Sequence, residues 1–322
     1  MPSRLASFLA LAALVAGDLL HLAPAWSAEP SYPTHPIQLV VPFDAGSATD
    51  VVARAMQPAL SSALGESVVV VNKAGASGTI GTAAVAAAKP DGYTIGLLAM
   101  GATAIIPHVR KLPYDVDALD FICQVYSAPV VVMVAPTSRF HTVQELLEYG
   151  RANPGKIAYA SPGIGTPDHL NTATFFRMAG VEALHVPFTG GGASVTALLS
   201  DQINVMANTT VTLNAHHLRP LVVLTPSRLP ELPDVPTARE IGIPFEASIW
   251  AVLAAPKGLA PPVKAALARS CGQTLQDARY REIAQRSGFP PYARTGDDLR
   301  SFIHAEFERY GKFIKDEKIE IQ

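Results

Sequence analysis

A strand-like run followed by a polar turn and a helix start constrains this chain more than any other feature. Residues 37–41 are mostly apolar and β-branched, which is typical of a buried strand. Pro42 ends that run, and a turn rich in Gly, Ser and Thr leads into a helical pattern over residues 50–64. Unpaired backbone N–H groups at such a helix N-terminus point at one place, which favours an anion. The pattern predicts a binding site for a small carboxylate.

The same order of strand, small polar turn and helix recurs along the chain. Turns of this kind occupy residues 72–81, 99–103, 161–170, 189–194 and 208–210. Alternating strands and helices favour a parallel sheet with right-handed crossovers, which binds ligands beyond the carboxyl ends of its strands. Two further apolar runs, 130–135 and 249–255, are interpreted as crossings between two such units. We therefore predict an α/β fold of two lobes, with parallel-type sheets flanked by helices and two hinge crossings.

The N-terminal residues predict an exported protein. Arg4 precedes an apolar segment at residues 5–17, and residues 23–25 and 25–27 have the small-x-small pattern of a signal peptidase site. The apolar segment is shorter than the roughly 20 residues that span a membrane, and an uncleaved anchor helix is the alternative. We expect a periplasmic protein whose signal peptide is cleaved between residues 25 and 28. The predicted units are 1–28 as signal peptide, 29–128 with 254–322 as lobe 1, and 129–253 as lobe 2.

Charge and motif content argue against several other classes of protein. The formal net charge is −2 and no basic run is present, so nucleic acid is not an expected partner. His216 and His217 would point apart on a strand, and we predict neither a metal site nor a cofactor. An enzyme is not expected, because the chain has no G-x-S-x-G elbow and no spacing that ties Ser, His and Asp together. Cys123 and Cys271 are free to pair in an oxidising compartment, although two buried thiols are the favoured interpretation.

Several motifs together resemble those of the Bug receptors, the extracytoplasmic solute-binding proteins of tripartite tricarboxylate transporters, also called the TctC family. The motifs are P-F-x-A-G-x-x-T-D at 42–50, K-P-D-G-Y-T at 89–94, Y-A-S-x-G-x-G-T-x-x-H-L at 159–170, H-V-P-F-x-G-G at 185–191 and L-P-D-V-P-T at 232–237. The resemblance implies a two-lobed Venus-flytrap periplasmic binding protein fold. It also implies a small carboxylate ligand held by backbone amides, hydroxyls and bridging waters rather than by salt bridges. Membrane permease subunits are the implied partners, and we expect a monomer.

The turns supply the candidate ligand-binding residues. They are Phe43, Ala45, Gly46, Ser47 and Thr49 in lobe 1, and Ser161, Gly163, Gly165, Thr166, His169, Gly190, Gly191, Asn208 and Thr209 in lobe 2. For each turn the alternative is an ordinary capped connection between a strand and a helix, and His169 is as typical of a packed residue. Asp44 and Ser47 replace the Pro or Ala and the Gly that are usual in the family. Asp44 puts a negative charge beside a proposed anion site, so it points away or meets a donor of the ligand.

The expected function is capture of a small organic acid and its delivery to a membrane permease. One alternative is a ligand-sensing partner of a membrane sensor kinase, which would use the same closure with a different docking surface. A second alternative is an exported hydrolase, for which turnover of a substrate would be required.

Overall fold

The computed structural model describes residues 32–188 and 191–316, so the predicted leader and Gly190 lie outside the described residues. The strands are β1 Ile37–Val41, β2 Val68–Asn72, β3 Thr94–Ala99, β4 Leu119–Val134, β5 Ile157–Ser161, β6 Ala183–Pro187, β7 Met206–Thr209, β8 Arg219–Val223, β9 Ser248–Pro256 and β10 Pro291–Thr295. The α-helices are α1 Ala48–Leu64, α2 Thr79–Ala86, α3 Val143–Ala152, α4 Pro167–Met178, α5 Gly191–Leu199, α6 Thr210–Ala215, α7 Pro261–Gln276, α8 Ala278–Arg286 and α9 Gly296–Asp316.

The strands form two lobes that share the long strand β4. In lobe 1 the strand order is β10-β4-β9-β3-β1-β2, with β1 parallel to both β2 and β3. In lobe 2 the second half of β4 pairs antiparallel with β7 and β8, and β5 pairs parallel with β6. A parallel bridge between Tyr159 and Val205 links β5 to the segment that enters β7. Helices flank both sheets, as the alternation of apolar patterns predicts.

The first crossing, predicted at residues 130–135, is the second half of one long strand that begins at Leu119. Residues 119–129 of β4 pair with β9 in lobe 1, and residues 130–134 pair with β7 and β8 in lobe 2. Pro129 lies where β4 changes partners, and it pairs with Ser248 at the start of β9. Because β4 leaves lobe 1 and β9 returns to it, the two crossings are antiparallel. The sheets are consequently mixed. The parallel strand pairs are β1 with β2, β1 with β3, and β5 with β6.

The strand directions make the two sets of carboxyl ends face each other. In lobe 1, Ala99 at the end of β3 pairs with Ala251, which also pairs with Tyr126 of β4. A few residues further along β4, Val130 pairs with Thr209 at the end of β7. Since β7 runs antiparallel to β4, and β5 and β6 run with β7, these strands end toward lobe 1. The space between the two sets of strand ends is called the interlobe cleft below.

The C-terminal helix α9 packs between the lobes. Trp250, on β9, is fully buried in a cluster that contains residues of α9 and Leu170 of α4.

Cys123 of β4 and Cys271 of α7 form a disulfide with their Cα atoms 6.6 Å apart. The favoured interpretation of two buried thiols is therefore wrong, because the fold brings together two residues whose proximity no local pattern reveals.

Two elements were not expected from the sequence, namely the short helix α6 and the edge strand β10. Among residues 32–188 and 191–316, no helix has the length and apolar character needed to cross a membrane.

Candidate ligand-binding site

Asp50 stabilises the turn after β1. Its carboxylate accepts from the Gly46 amide, which the sequence analysis proposed as a donor to the ligand. Ser47 caps α1, with its Oγ accepting from the Asp50 amide at 3.3 Å. Gly46 adopts φ +83°, which glycine tolerates, and its amide donates to Asp50 Oδ2 at 2.9 Å. Burial would raise the pKa of Asp50, but hydrogen bonds from Arg54, Gly46 and Asn72 and the charge of Arg54 hold it below its usual value. Asp50 therefore orders this turn.

The remaining predicted residues of this turn either face solvent or support it. Ala45 is exposed, and its amide has no acceptor among the described residues; the same holds for the amide of Thr49. The Thr49 side chain is buried and lies near Tyr126 of β4. Phe43 is half-buried, and its ring lies beside Gly78 in the neighbouring turn. Asp44 is exposed to solvent, and only its carbonyl is engaged, by the Ser47 amide at 3.1 Å.

The turn after β5 is a closed network of hydrogen bonds around Ser161. The buried Ser161 hydroxyl donates to the Gly163 carbonyl at 2.8 Å, and the Gly163 amide donates back to it at 3.2 Å. His185 Nε2 lies 2.7 Å from the same oxygen, and with the hydroxyl proton given to Gly163 it is the imidazole that donates. Thr166 caps α4, with its hydroxyl donating to the Gly163 carbonyl at 2.8 Å.

Two neutral histidines, His169 and His185, hydrogen-bond to this turn and stabilise it. The Gly165 amide donates to His169 Nδ1 at 3.0 Å, so that nitrogen carries no proton. The rings of His169 and His185 stack with centroids 3.7 Å apart. Burial, together with the charge of His185, lowers the pKa of His169 to about 3, and burial lowers that of His185 to about 4. Both imidazoles are therefore neutral near pH 7, and His169 orders the turn in this conformation.

The end of β7 contributes an amide side chain that is fixed in orientation. Asn208 Oδ1 accepts from the Thr209 amide at 2.7 Å and from the Thr212 hydroxyl at 2.9 Å. Its Nδ2 consequently points at Asp168 Oδ2, 3.3 Å away. Thr209 is buried at the start of α6, whereas Gly191 at the start of α5 is exposed with open space around it.

Asp168 is the residue that the sequence reading did not include among the ligand contacts. It lies in the first turn of α4 and is 7% exposed. Burial raises the pKa of its carboxyl to about 7, and no charge among the described residues opposes that effect. Its amide and that of Ile164 have no acceptor among the described residues. The sequence signal for this residue was an aspartate directly after the Thr-Pro start of a helix. Such an aspartate is also common because it stabilises the helix N-terminus, so the signal did not point to a binding role.

The arrangement favours binding over catalysis. Ser161 and His185 form a hydroxyl–imidazole pair, but no carboxylate contacts His185 Nδ1 in the part of the chain that the structure describes. The free donors of the two turns are neutral amides at the start of α1 and α4, where the helix dipole favours negative charge. The assignment of individual ligand contacts stays a prediction.

Two α/β lobes that share paired crossing strands, with polar turns at opposed strand ends, define a two-domain periplasmic-binding-protein fold. Residues 52–319 match the family described as Tripartite tricarboxylate transporter family receptor (TctC), and the chain belongs to that family. The resemblance seen in the motifs is therefore confirmed. The protein is a solute-binding receptor of this family and not an enzyme.

Known relatives extend over almost the whole chain. Protein BugT of Bordetella pertussis is 34% identical over 294 residues, covering 89% of this chain and 90% of its own length. The solved structure of the periplasmic binding protein BugD has a TM-score of 0.73 and 34% identity, covering 90% of this chain and 100% of its own.

Two further solved structures contain acids. Rpa4515 of R. palustris with adipate has a TM-score of 0.75 and 29% identity, covering 88% of this chain and 97% of its own. MatC of Rhodopseudomonas palustris with bound malate has a TM-score of 0.71 and 26% identity, covering 88% of this chain and 100% of its own.

Proposed function

We propose that this protein captures a small organic acid in the interlobe cleft and delivers it, as a monomer, to membrane permease subunits. The observation that carries the proposal is the opposition of two turns whose free amides stand at helix N-termini on facing strand ends. The acids bound by Rpa4515 and MatC support the same ligand class. Export with removal of the leader between residues 25 and 28 would place the receptor in the periplasm, where BugD functions as a binding protein.

The proposed lobe boundaries follow the point at which β4 changes sheets. The sequence predicts lobe 1 as residues 29–128 with 254–322 and lobe 2 as residues 129–253. The second boundary needs correction, because residues 251–253 of β9 pair with β3 of lobe 1, so lobe 2 ends before β9 begins at Ser248. Val130 is the first residue of β4 that pairs with β7, which supports a boundary immediately before it. The hinge then consists of the adjacent crossings of β4 and β9.

In the proposed complex, neutral donors rather than cations hold the acid. The amides of Ala45 and Thr49 would donate from lobe 1, and those of Ile164 and Asp168 from lobe 2. The residues that the sequence singled out, such as Ser47, Ser161 and Thr166, would act chiefly by holding these amides in place. Closure is favoured only to the extent that the acid makes better contacts in the closed state than in the open one.

Isothermal titration calorimetry with a panel of mono-, di- and tricarboxylates and amino acids tests the ligand class. An acid present at about 100 times its dissociation constant should also stabilise the fold by about 2.7 kcal/mol. Complete absence of binding and of thermal stabilisation across the panel would refute the proposal. Selective binding of uncharged or cationic solutes would do the same.

A variant of the cap of α4 tests the proposed site. Thr166→Val removes the hydroxyl that links the Gly163 carbonyl to the start of α4, and we expect acid affinity to fall about tenfold, or about 1.4 kcal/mol. Thr174→Val is the matched control, because its hydroxyl bonds only to the Leu170 carbonyl further along the same helix. Equal affinity for both variants would remove the lobe 2 turn from the site. The sensor-kinase alternative uses the same cleft and stays untested by this experiment.

A further inference from the structure

Two buried polar atoms on α4 lack hydrogen-bond partners and lie one helical turn apart. They are Asp168 Oδ1 and Asn171 Nδ2, neither of which has a partner among the described residues. Asp168 is 7% exposed and Asn171 is 0% exposed. Residues three apart on a helix are neighbours on one face, with Cβ atoms about 5–6 Å apart. The unmatched acceptor and the unmatched donor therefore belong to neighbouring side chains on one face of α4.

The other polar atom of each side chain is engaged, which fixes the orientation of both groups. Asp168 Oδ2 accepts from Asn208 Nδ2, whose own orientation is set by the Thr209 amide. Asn171 Oδ1 accepts from the Tyr310 hydroxyl at 2.9 Å. Because an amide oxygen can only accept, the Tyr310 hydroxyl is the donor in this bond. The free atoms are consequently the acid oxygen and the amide nitrogen.

The same two bonds place this pair between the lobes. Asn208 ends β7 on the cleft edge of lobe 2, whereas Tyr310 lies on α9, which packs on lobe 1. The Asp168 backbone amide, a proposed donor to the ligand acid, belongs to the same first turn of α4. A group that satisfied both free atoms would therefore lie next to a bound carboxylate.

The chemistry of the pair selects among possible occupants. Asp168 Oδ1 requires a donor and Asn171 Nδ2 requires an acceptor. An ammonium offers only donors, and a carboxylate offers only acceptors and is repelled by the aspartate. A hydroxyl offers both, and so does a water molecule. The buried carboxyl has no cation beside it in residues 32–188 and 191–316, so a donor delivered by the ligand would stabilise its ionised form.

We propose that Asp168 and Asn171 form a specificity pocket for a hydroxyl group, so that the preferred ligand is a hydroxy acid whose hydroxyl lies on the carbon next to a bound carboxylate. This inference rests on the proposed function. A buried water in the same place is the competing occupant.

Matched ligand pairs test the inference on the wild-type protein. Calorimetry compares succinate with malate, glutarate with 2-hydroxyglutarate, and propionate with lactate. In at least one pair, the hydroxy acid should bind at least tenfold more tightly than its deoxy analogue. Ratios near one in every pair that binds would overturn the inference and leave the proposed function standing. Failure of every acid to bind would overturn the proposed function and the inference with it.

Variants connect the preference to the two side chains. Asp168→Asn keeps the shape of the side chain and should lower hydroxy-acid affinity at least tenfold, with less than a threefold change for the deoxy analogue. Asp44→Asn is the matched control, because it removes a solvent-exposed carboxylate on the opposite turn and should preserve the ratio. An unchanged ratio in Asp168→Asn would show that the pocket holds water only. Circular dichroism and a melting curve confirm that each variant is folded.

Discussion

The contact between Gly288 and Val211 provides a sharp test of how the lobes meet. Gly288 follows α8 of lobe 1, and Val211 lies on α6 of lobe 2. A Cβ atom on Gly288 would overlap Val211 Cγ2 and would lie 3.0 Å from its Cβ and 3.5 Å from its Cα. Ordinary carbon contacts are about 3.5–4.0 Å. Rotation of Val211 relieves only the first overlap, so Gly288→Ala should push the two segments apart.

The effect of this substitution has two parts that can be separated. Gly288 has φ +68°, where alanine costs about 1–2 kcal/mol in stability whatever its surroundings. Gly296→Ala is the matched control, since Gly296 has φ +60° with nothing within 4 Å of its position for a Cβ. Both variants should lose similar stability from the backbone. Only Gly288→Ala should also lose affinity, by at least tenfold, because the 288–290 segment adjoins the hinge through the Ser127 amide and the Pro290 carbonyl.

The assay combines calorimetry, using the tightest-binding acid of the panel, with small-angle X-ray scattering of the free protein. Gly288→Ala should show a larger radius of gyration than Gly296→Ala, and the double variant Gly288→Ala/Val211→Ala should recover most of the affinity. Equal affinities for the two single variants would refute the reasoning. Absence of rescue by Val211→Ala would show that the overlap is not what separates the lobes.

Further predictions concern stability. Replacing Cys123 and Cys271 with alanine opens a loop with a sequence separation of 148, and chain entropy predicts a loss of up to about 5 kcal/mol in the free energy of unfolding, measured by urea denaturation. The pKa values of His169 and His185, about 3 and about 4, are lower than in the unfolded chain, so their contribution is complete above about pH 6.5 and is lost as the pH falls toward 4. Replacing His185 with phenylalanine should flatten that part of a stability–pH profile. Asp168 acts with the opposite sign, because its pKa of about 7 is raised, and Asp168→Asn should stabilise the protein more at pH 8 than at pH 5.

The local parts of the fold could be predicted because their signals are local. Ser47 caps α1 and Gly65 ends it, and both interactions span only a few residues. The continuity of β4 could not be predicted in the same way, because Pro129 normally ends a strand. It is tolerated where β4 exchanges one set of partners for another, and that position exists only once both lobes are assembled.

In the candidate site, too, the local features could be predicted and the long-range ones could not. Its turns were recognisable, but the donors they leave free were not. The Gly46 amide, an obvious candidate, is taken by Asp50, and the Gly165 amide is taken by His169. A donor available for a ligand is one that the protein itself has left unmatched, and a motif does not report this.

The amino-acid sequence by itself determined the family, the alternation of strands and helices, and the turns at which an acid should bind, because these depend on neighbours a few positions away. Tertiary structure decided which polar atoms remain unmatched. Asp168 meets Asn208 across 40 positions, Asn171 meets Tyr310 across 139, and the disulfide closes across 148. Hydrogen bonding of buried groups depends on which distant elements pack together, and chain order alone does not specify that packing.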